Sequence, residues 1–202
     1  MSRLVTFHLL LPATAERRVV LDTFASMMAD AGFQAVDDST ESDQLGPIAV
    51  DNILSRGHGL EFGFVVVARR ELEIMMSFMS EASANSVQVV SGSVLACHFR
   101  GKDAETRTRE LLKTILMLHR ELNARRTIAE YGLDDGLTPY SWQQEWHRLE
   151  NGLVEGVYWL DLLCSELVSD EYQERIRSIP SPPLMFKTFS WGTFFRARLL
   201  PT

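Results

Sequence analysis

The chain is short of cysteine, short of positive charge and without a long apolar run, and each shortage closes off a class of protein. Only two cysteines, Cys97 and Cys164, occur in 202 residues, too few for a disulfide framework. Both stand in sequences that read as buried, so each is expected to be an inert core thiol in a reducing compartment. Lysine and arginine together number 20 against 27 aspartates and glutamates, giving a net charge of −7. Phosphate neutralisation needs clustered Lys and Arg, so no direct nucleic-acid partner is expected. An acidic chain suits a basic protein partner. No stretch approaches the roughly 18 apolar residues of a membrane helix, so no membrane partner is expected either. Arg3, the apolar run Leu4 to Leu11 and Ala13-Thr14-Ala15 loosely imitate a secretory signal. Thr6 and His8 interrupt that run, and the expectation is a cytoplasmic protein.

Motifs that carry chemistry are missing too. Gly57, Gly59 and Gly63 miss the spacing of a dinucleotide-binding loop, and there is no G-x-x-x-x-G-K-[ST], G-x-S-x-G, H-E-x-x-H or C-x-x-C. The five histidines, His8, His58, His98, His119 and His147, form no i, i+4 pair. A metal site would need three distant segments to converge, so each histidine reads as an edge or surface residue. No E-x-K triplet completes a restriction-type nuclease centre. The expectation is therefore no enzyme, no cofactor and no metal.

What is present is the pattern of a single α+β domain over residues 1–202, an antiparallel sheet packed by amphipathic helices. Leu4 to Leu11 alternates Val5, Phe7, Leu9 and Leu11 against Thr6 and His8, the period of a half-buried strand ended by Pro12. Thr14 then serves as N-cap, with Glu16 in the first turn, for a helix placing Val20, Phe24, Met27, Met28 and Ala31 inward before Gly32 stops it. Asp37 to Asp43 reads as a solvated acidic loop, or as part of an acidic partner-binding face. Between Leu60 and Phe99 the alternations of Phe62, Phe64, Val66, then Leu72 to Phe78, then Val87 and Val89, then Val94, Ala96 and His98 predict strands. Their turns fall at Ser80 to Ser86 and at Ser91-Gly92. Asp103 caps a helix with Leu111, Leu112, Ile115, Leu116, Leu118 and Leu122 inward and Arg107, Arg109, Lys113, Arg120 and Glu121 outward, expected to lie across the sheet.

The richest stretch is Ser141 to Ile176, which holds three of the four tryptophans. Thr138-Pro139 can open a helix ended by Asn151-Gly152; Val157 to Leu163, with Val, Tyr and Trp, reads as a buried strand with Trp159 as its core anchor; Ser165 caps a helix to about Arg177. After Pro180 to Pro183 a C-terminal hairpin is expected from Leu184 to Phe189 and Phe194 to Leu199, turned at Ser190-Trp191-Gly192. Two clusters fit protein binding. Tyr131, Asp134, Asp135 and Tyr140 set aromatics beside carboxylates on a glycine-flanked turn, the composition of a hot spot facing a basic site. Trp142, Glu145, Trp146 and Glu150 share one helix face. An ordinary turn for the first and core packing for the second are the plainer alternatives.

The order of these elements, with G-V-Y-W-L at Gly156 to Leu160 and E-L-V at Glu166 to Val168, resembles the immunity protein 52 family of bacterial polymorphic toxin systems. The resemblance covers most of the chain. It implies an α+β antidote encoded beside a toxin, including type VI secretion effectors with a nuclease-like fold, whose activity it blocks by occluding an active or assembly surface. The partner it implies is the cognate toxin. A small enzyme of unrecognised class and an adaptor or chaperone for a secretion system remain as alternatives.

Overall fold

The computed structural model describes residues 3–37, 44–56, 61–70, 72–80, 85–99, 101–133, 158–164, 185–189 and 192–196. The chain runs β1 (Arg3–Leu10), α1 (Arg17–Asp30), β2 (Gln34–Asp37), β3 (Gln44–Gly46), α2 (Val50–Ser55), β4 (Glu61–Arg69), β5 (Leu72–Met79) and β6 (Val89–Leu95). A 3₁₀ turn (Ala96–Phe99), α3 (Ala104–Glu121), β7 (Arg126–Leu133), β8 (Tyr158–Cys164), β9 (Met185–Phe189) and β10 (Gly192–Arg196) follow. The strands form one sheet in the order β3-β2-β4-β5-β6-β1-β7-β8-β10-β9, antiparallel at every pairing. This is an α+β fold. β9 and β10 pair antiparallel, and Gly192, expected in a turn, opens β10; residues 184, 190, 191 and 197–199 of the expected C-terminal hairpin lie outside the described residues.

β1 occupies the middle of the sheet, and its alternation decides which face carries the helices. Val5, Phe7 and Leu9 point to one side and are fully buried. The register row through Phe7 runs Val65, Met76, Gly92, Phe7, Ala129, Leu160. All three helices pack on this face. Phe24 of α1 meets Phe78 edge to face with ring centroids 4.9 Å apart, an arrangement favoured by the ring quadrupoles. Ile53 of α2 fits over Gly63, where a Cβ would lie 2.8 Å from its Cγ2. α3 buries Leu111, Ile115 and Leu118, with Leu112 and Leu116 partly covered. Truncating any one of the fully buried rings to alanine costs about 3–5 kcal/mol.

Helix boundaries follow backbone chemistry. α1 ends with Gly32 at φ 81°, its N–H reaching the carbonyl of Ala29 while Phe33 N–H reaches Met28. That pair of bonds is a Schellman closure, with Met28 and Phe33 both in the core. α3 closes the same way on a non-glycine residue: Asn123 sits at φ 51° and bonds Arg120, and Ala124 bonds His119. The start of α1 differs from expectation. Its N-cap is Glu16, without a side-chain cap bond, because residues 15–17 are tied across to Asn85, Ser86 and Val87 and the helix begins only beyond that bridge.

Several expected features are corrected. Ser91-Gly92 is no turn. It lies inside β6, where Gly92 lets the ring of Phe7 approach to a distance that a Cβ would block at 2.0 Å. Ala96 and His98 belong to a 3₁₀ turn rather than a strand, and Cys97 there is exposed, not a core thiol. Arg107, expected outward, has a side chain only 19% exposed. β7 continues straight through Tyr131 and Gly132, where a turn was expected. His8 and His119 are buried, not surface histidines. The expected helices at 138–150 and 165–177 lie outside the described residues, as does most of the acidic loop, 38–43.

Candidate partner-binding groove

α1 and α3 run antiparallel on the sheet, and the seam between them opens outward as a groove. Arg69, at the end of β4, fixes one end. Its Nη1 donates to the Ala31 carbonyl at 2.9 Å, its guanidinium lies 4.8 Å over the Phe33 ring, and Glu110 of α3 stands 3.7 Å away. This joins the end of α1 to the first half of α3. The groove lies along the other part of the seam, a shallow depression open to solvent with a volume of about 690 Å³.

Its lining follows from helical spacing. Residues four apart share a face, so Asp22, Ser26 and Asp30 form an exposed line along α1, and Thr23, Met27 and Ala31 form the line beside it, half-buried. α3 contributes Met117 to the base and Arg120 and Glu121 to the edge. The outcome is a base of Met27, Ala31 and Met117 beneath carboxylates at Asp22, Asp30 and Glu121. Three carboxylates face one guanidinium, that of Arg120, whose Nε donates to Glu121 at 2.8 Å.

Nearby positive charge is already engaged. Arg18 donates to Asp22 and to Asp51, each at 3.2 Å, and the bond to Asp22, then its charge, raise the Arg18 pKa above its ordinary value. Among the described residues Asp30 makes no ion pair, and it ends a helix whose last turn has no basic residue. A carboxylate at the negative end of a helix is disfavoured, so Asp30 gains most from an incoming cation. Exposed pairs such as Arg18–Asp22 hold weakly and exchange partners easily. Methionine on a half-covered surface adapts to varied apolar shapes.

Two buried polar pairs elsewhere were also unforeseen. His119 Nδ1 lies 2.8 Å from Thr127 Oγ1 between α3 and β7, and burial pushes its pKa down to about 4. On the sheet face opposite the helices, His8 Nδ1 lies 2.7 Å from Ser91 Oγ, register partners on β1 and β6. Both residues are 6% exposed, which suits a core hydrogen bond better than an accessible nucleophile and base. Among the described residues no group of three or more His, Cys, Asp or Glu is placed to hold a metal ion. No described helix is long and apolar enough to cross a membrane.

Of the residues singled out from sequence, Tyr131 is placed inside β7, its Cα paired with Val5 of the central strand. It is not on a loop, because eight residues of β7 pair with β1 without interruption. Asp134, Asp135, Tyr140, Trp142, Glu145, Trp146 and Glu150 lie outside the described residues. The groove residues were missed as a group. Met27 was counted as core and Glu121 as plain surface, although the i, i+4, i+8 line of Asp22, Ser26 and Asp30 was there to be read. The chain matches no family model, no curated protein and no solved structure.

Proposed function

We propose that the protein is a cytoplasmic antidote that binds a cognate toxin, nuclease-like in class, and neutralises it by covering an active or assembly surface. The observation that carries this reading is the α1–α3 groove, where an adaptable apolar base lies under three carboxylates. That composition suits a basic, partly apolar protein surface. The net charge of −7 supports the same reading through faster encounter with a basic partner, and the G-V-Y-W-L and E-L-V segments support it through family resemblance. Inhibition here needs no chemistry of its own, only a complex that outlasts the toxin's encounter with its target.

The test is to read the neighbouring genes for a toxin-domain protein and to co-express that protein with this chain. Cells carrying both should survive, and the two proteins should co-purify as a complex. Death of cells making both proteins, with no complex formed between the purified pair, would remove the antidote reading.

A further inference from the structure

Resting on the antidote reading, we infer that the α1–α3 groove receives one basic amphipathic helix of the partner. Its apolar side chain seats on Met27 and Met117, and its cations meet Asp22, Asp30 and Glu121. The geometry sets the pattern. Asp22 and Asp30 are eight residues apart, so their Cα atoms stand about 12 Å apart along α1 at 1.5 Å per residue. A helix laid along the seam meets both with Lys or Arg two turns apart on one face, and an apolar residue one turn along falls between them, over the methionines. The charge balance selects the sign of the occupant. Of the four charged side chains lining the groove, Asp22, Asp30 and Glu121 are acidic and only Arg120 is basic; Arg120 is bonded to Glu121 and Arg18, outside the lining, to Asp22, which leaves Asp30 as the carboxylate without an ion pair among the described residues. An acidic segment would add repulsion, and a purely apolar one would leave the exposed carboxylates without new partners.

The two methionines make the test direct. Protein labelled with ¹³C at the methionine methyl groups has eight such signals, and Met27→Leu and Met117→Leu identify the two at the groove. The probe is a Lys/Leu peptide of about 14 residues, four helical turns, with lysines two turns apart on one face; its control carries Glu for Lys. The expected result is that the Lys peptide shifts the Met27 and Met117 methyls and leaves the buried Met28 and Met76 signals in place, while the Glu peptide shifts none. Asp22→Lys/Asp30→Lys should weaken peptide binding on the order of tenfold or more with little net change in melting temperature, since losing the exposed Arg18–Asp22 pair and placing a cation at the C-terminal end of α1 act in opposite directions. Silence of both groove methyls, equal response to the Glu peptide, or an unweakened double variant would overturn the inference. The toxin separates this from the antidote reading. If wild type and Asp22→Lys/Asp30→Lys protect cells equally, the antidote reading stands and the groove assignment falls; if the groove methyls respond as expected but wild type gives no protection, the groove stands and the antidote reading falls.

Discussion

A single added methyl at Gly92 is expected to unsettle the centre of the sheet. A Cβ there would lie 2.0 Å from Phe7 Cζ, with Cε1 and Cε2 at 2.4 and 2.7 Å, against about 3.5–4.0 Å for carbon atoms in contact. The ring has little room to retreat, since Phe7 is fully buried on the central strand between β6 and β7. Either the ring leaves its rotamer, at about 0.5–1.5 kcal/mol, or β1 and β6 shift together. Overpacking of this kind costs about 1–3 kcal/mol, and three blocked ring atoms place Gly92→Ala near 3 kcal/mol. That is a large part of the roughly 5–15 kcal/mol that holds a domain folded. Urea unfolding should show a lower midpoint with the slope unchanged. Phe7→Leu removes ring atoms that the methyl would strike, so the double variant should be more stable than the sum of the two losses by about 1 kcal/mol or more. An unchanged midpoint for Gly92→Ala, or strict additivity with Phe7→Leu, would refute the close approach.

Two other expectations concern stability. His119, with a folded pKa of about 4 against 6.5 unfolded, stays neutral in the fold while the unfolded chain takes up a proton between those values. Its stabilising effect is therefore complete above about pH 6.5 and is lost as pH falls towards 4, by on the order of 3 kcal/mol. His119→Gln should flatten the fall in urea midpoint between pH 7 and pH 4.5 relative to wild type; parallel profiles would contradict burial as the cause. Asn123, left-handed at φ 51°, should gain up to about 1 kcal/mol on replacement by glycine and lose about as much on replacement by alanine. Thermal melts showing the reverse order would contradict the Schellman closure of α3.

Much of the architecture was legible because periodicity is a direct image of burial. The alternation through Val5, Phe7 and Leu9 located β1, the spacing of Leu111, Ile115 and Leu118 located α3, and the β-branched and aromatic run around Leu160 located β8. Failure came where a small residue had a structural use that imitates a turn. Gly92 is small to admit Phe7, yet beside Ser91 it reads as a loop. β7 was overlooked for a related reason. Its helix-facing positions hold Thr127 and Ala129, small residues under α3, so the strand lacks a bulky alternation, and Gly132 with Asp134-Asp135 suggested a turn too early. α2 and the short strands β2 and β3 span too few residues for any period to register. The histidines misled in another way. Local sequence does not show that Ser91 and Thr127, distant in the chain or across a turn, supply the partners that let His8 and His119 be buried. The groove was hidden because it belongs to two helices at once, and only their antiparallel packing brings Met27 to Met117 and Asp22 to Glu121.

The central claim, proposed above, is neutralisation by binding, and its most direct test is the affinity of the purified protein for a toxin-domain protein encoded by a neighbouring gene. Wild type, Asp22→Lys/Asp30→Lys and Asp134→Lys/Asp135→Lys would be compared at low and high salt. The expected result is a tight wild-type complex that suppresses toxin activity, with association slowed by salt and affinity reduced on the order of tenfold or more in the groove variant. A wild-type protein that forms no complex with that toxin, or binds it and leaves its activity intact, would contradict the claim.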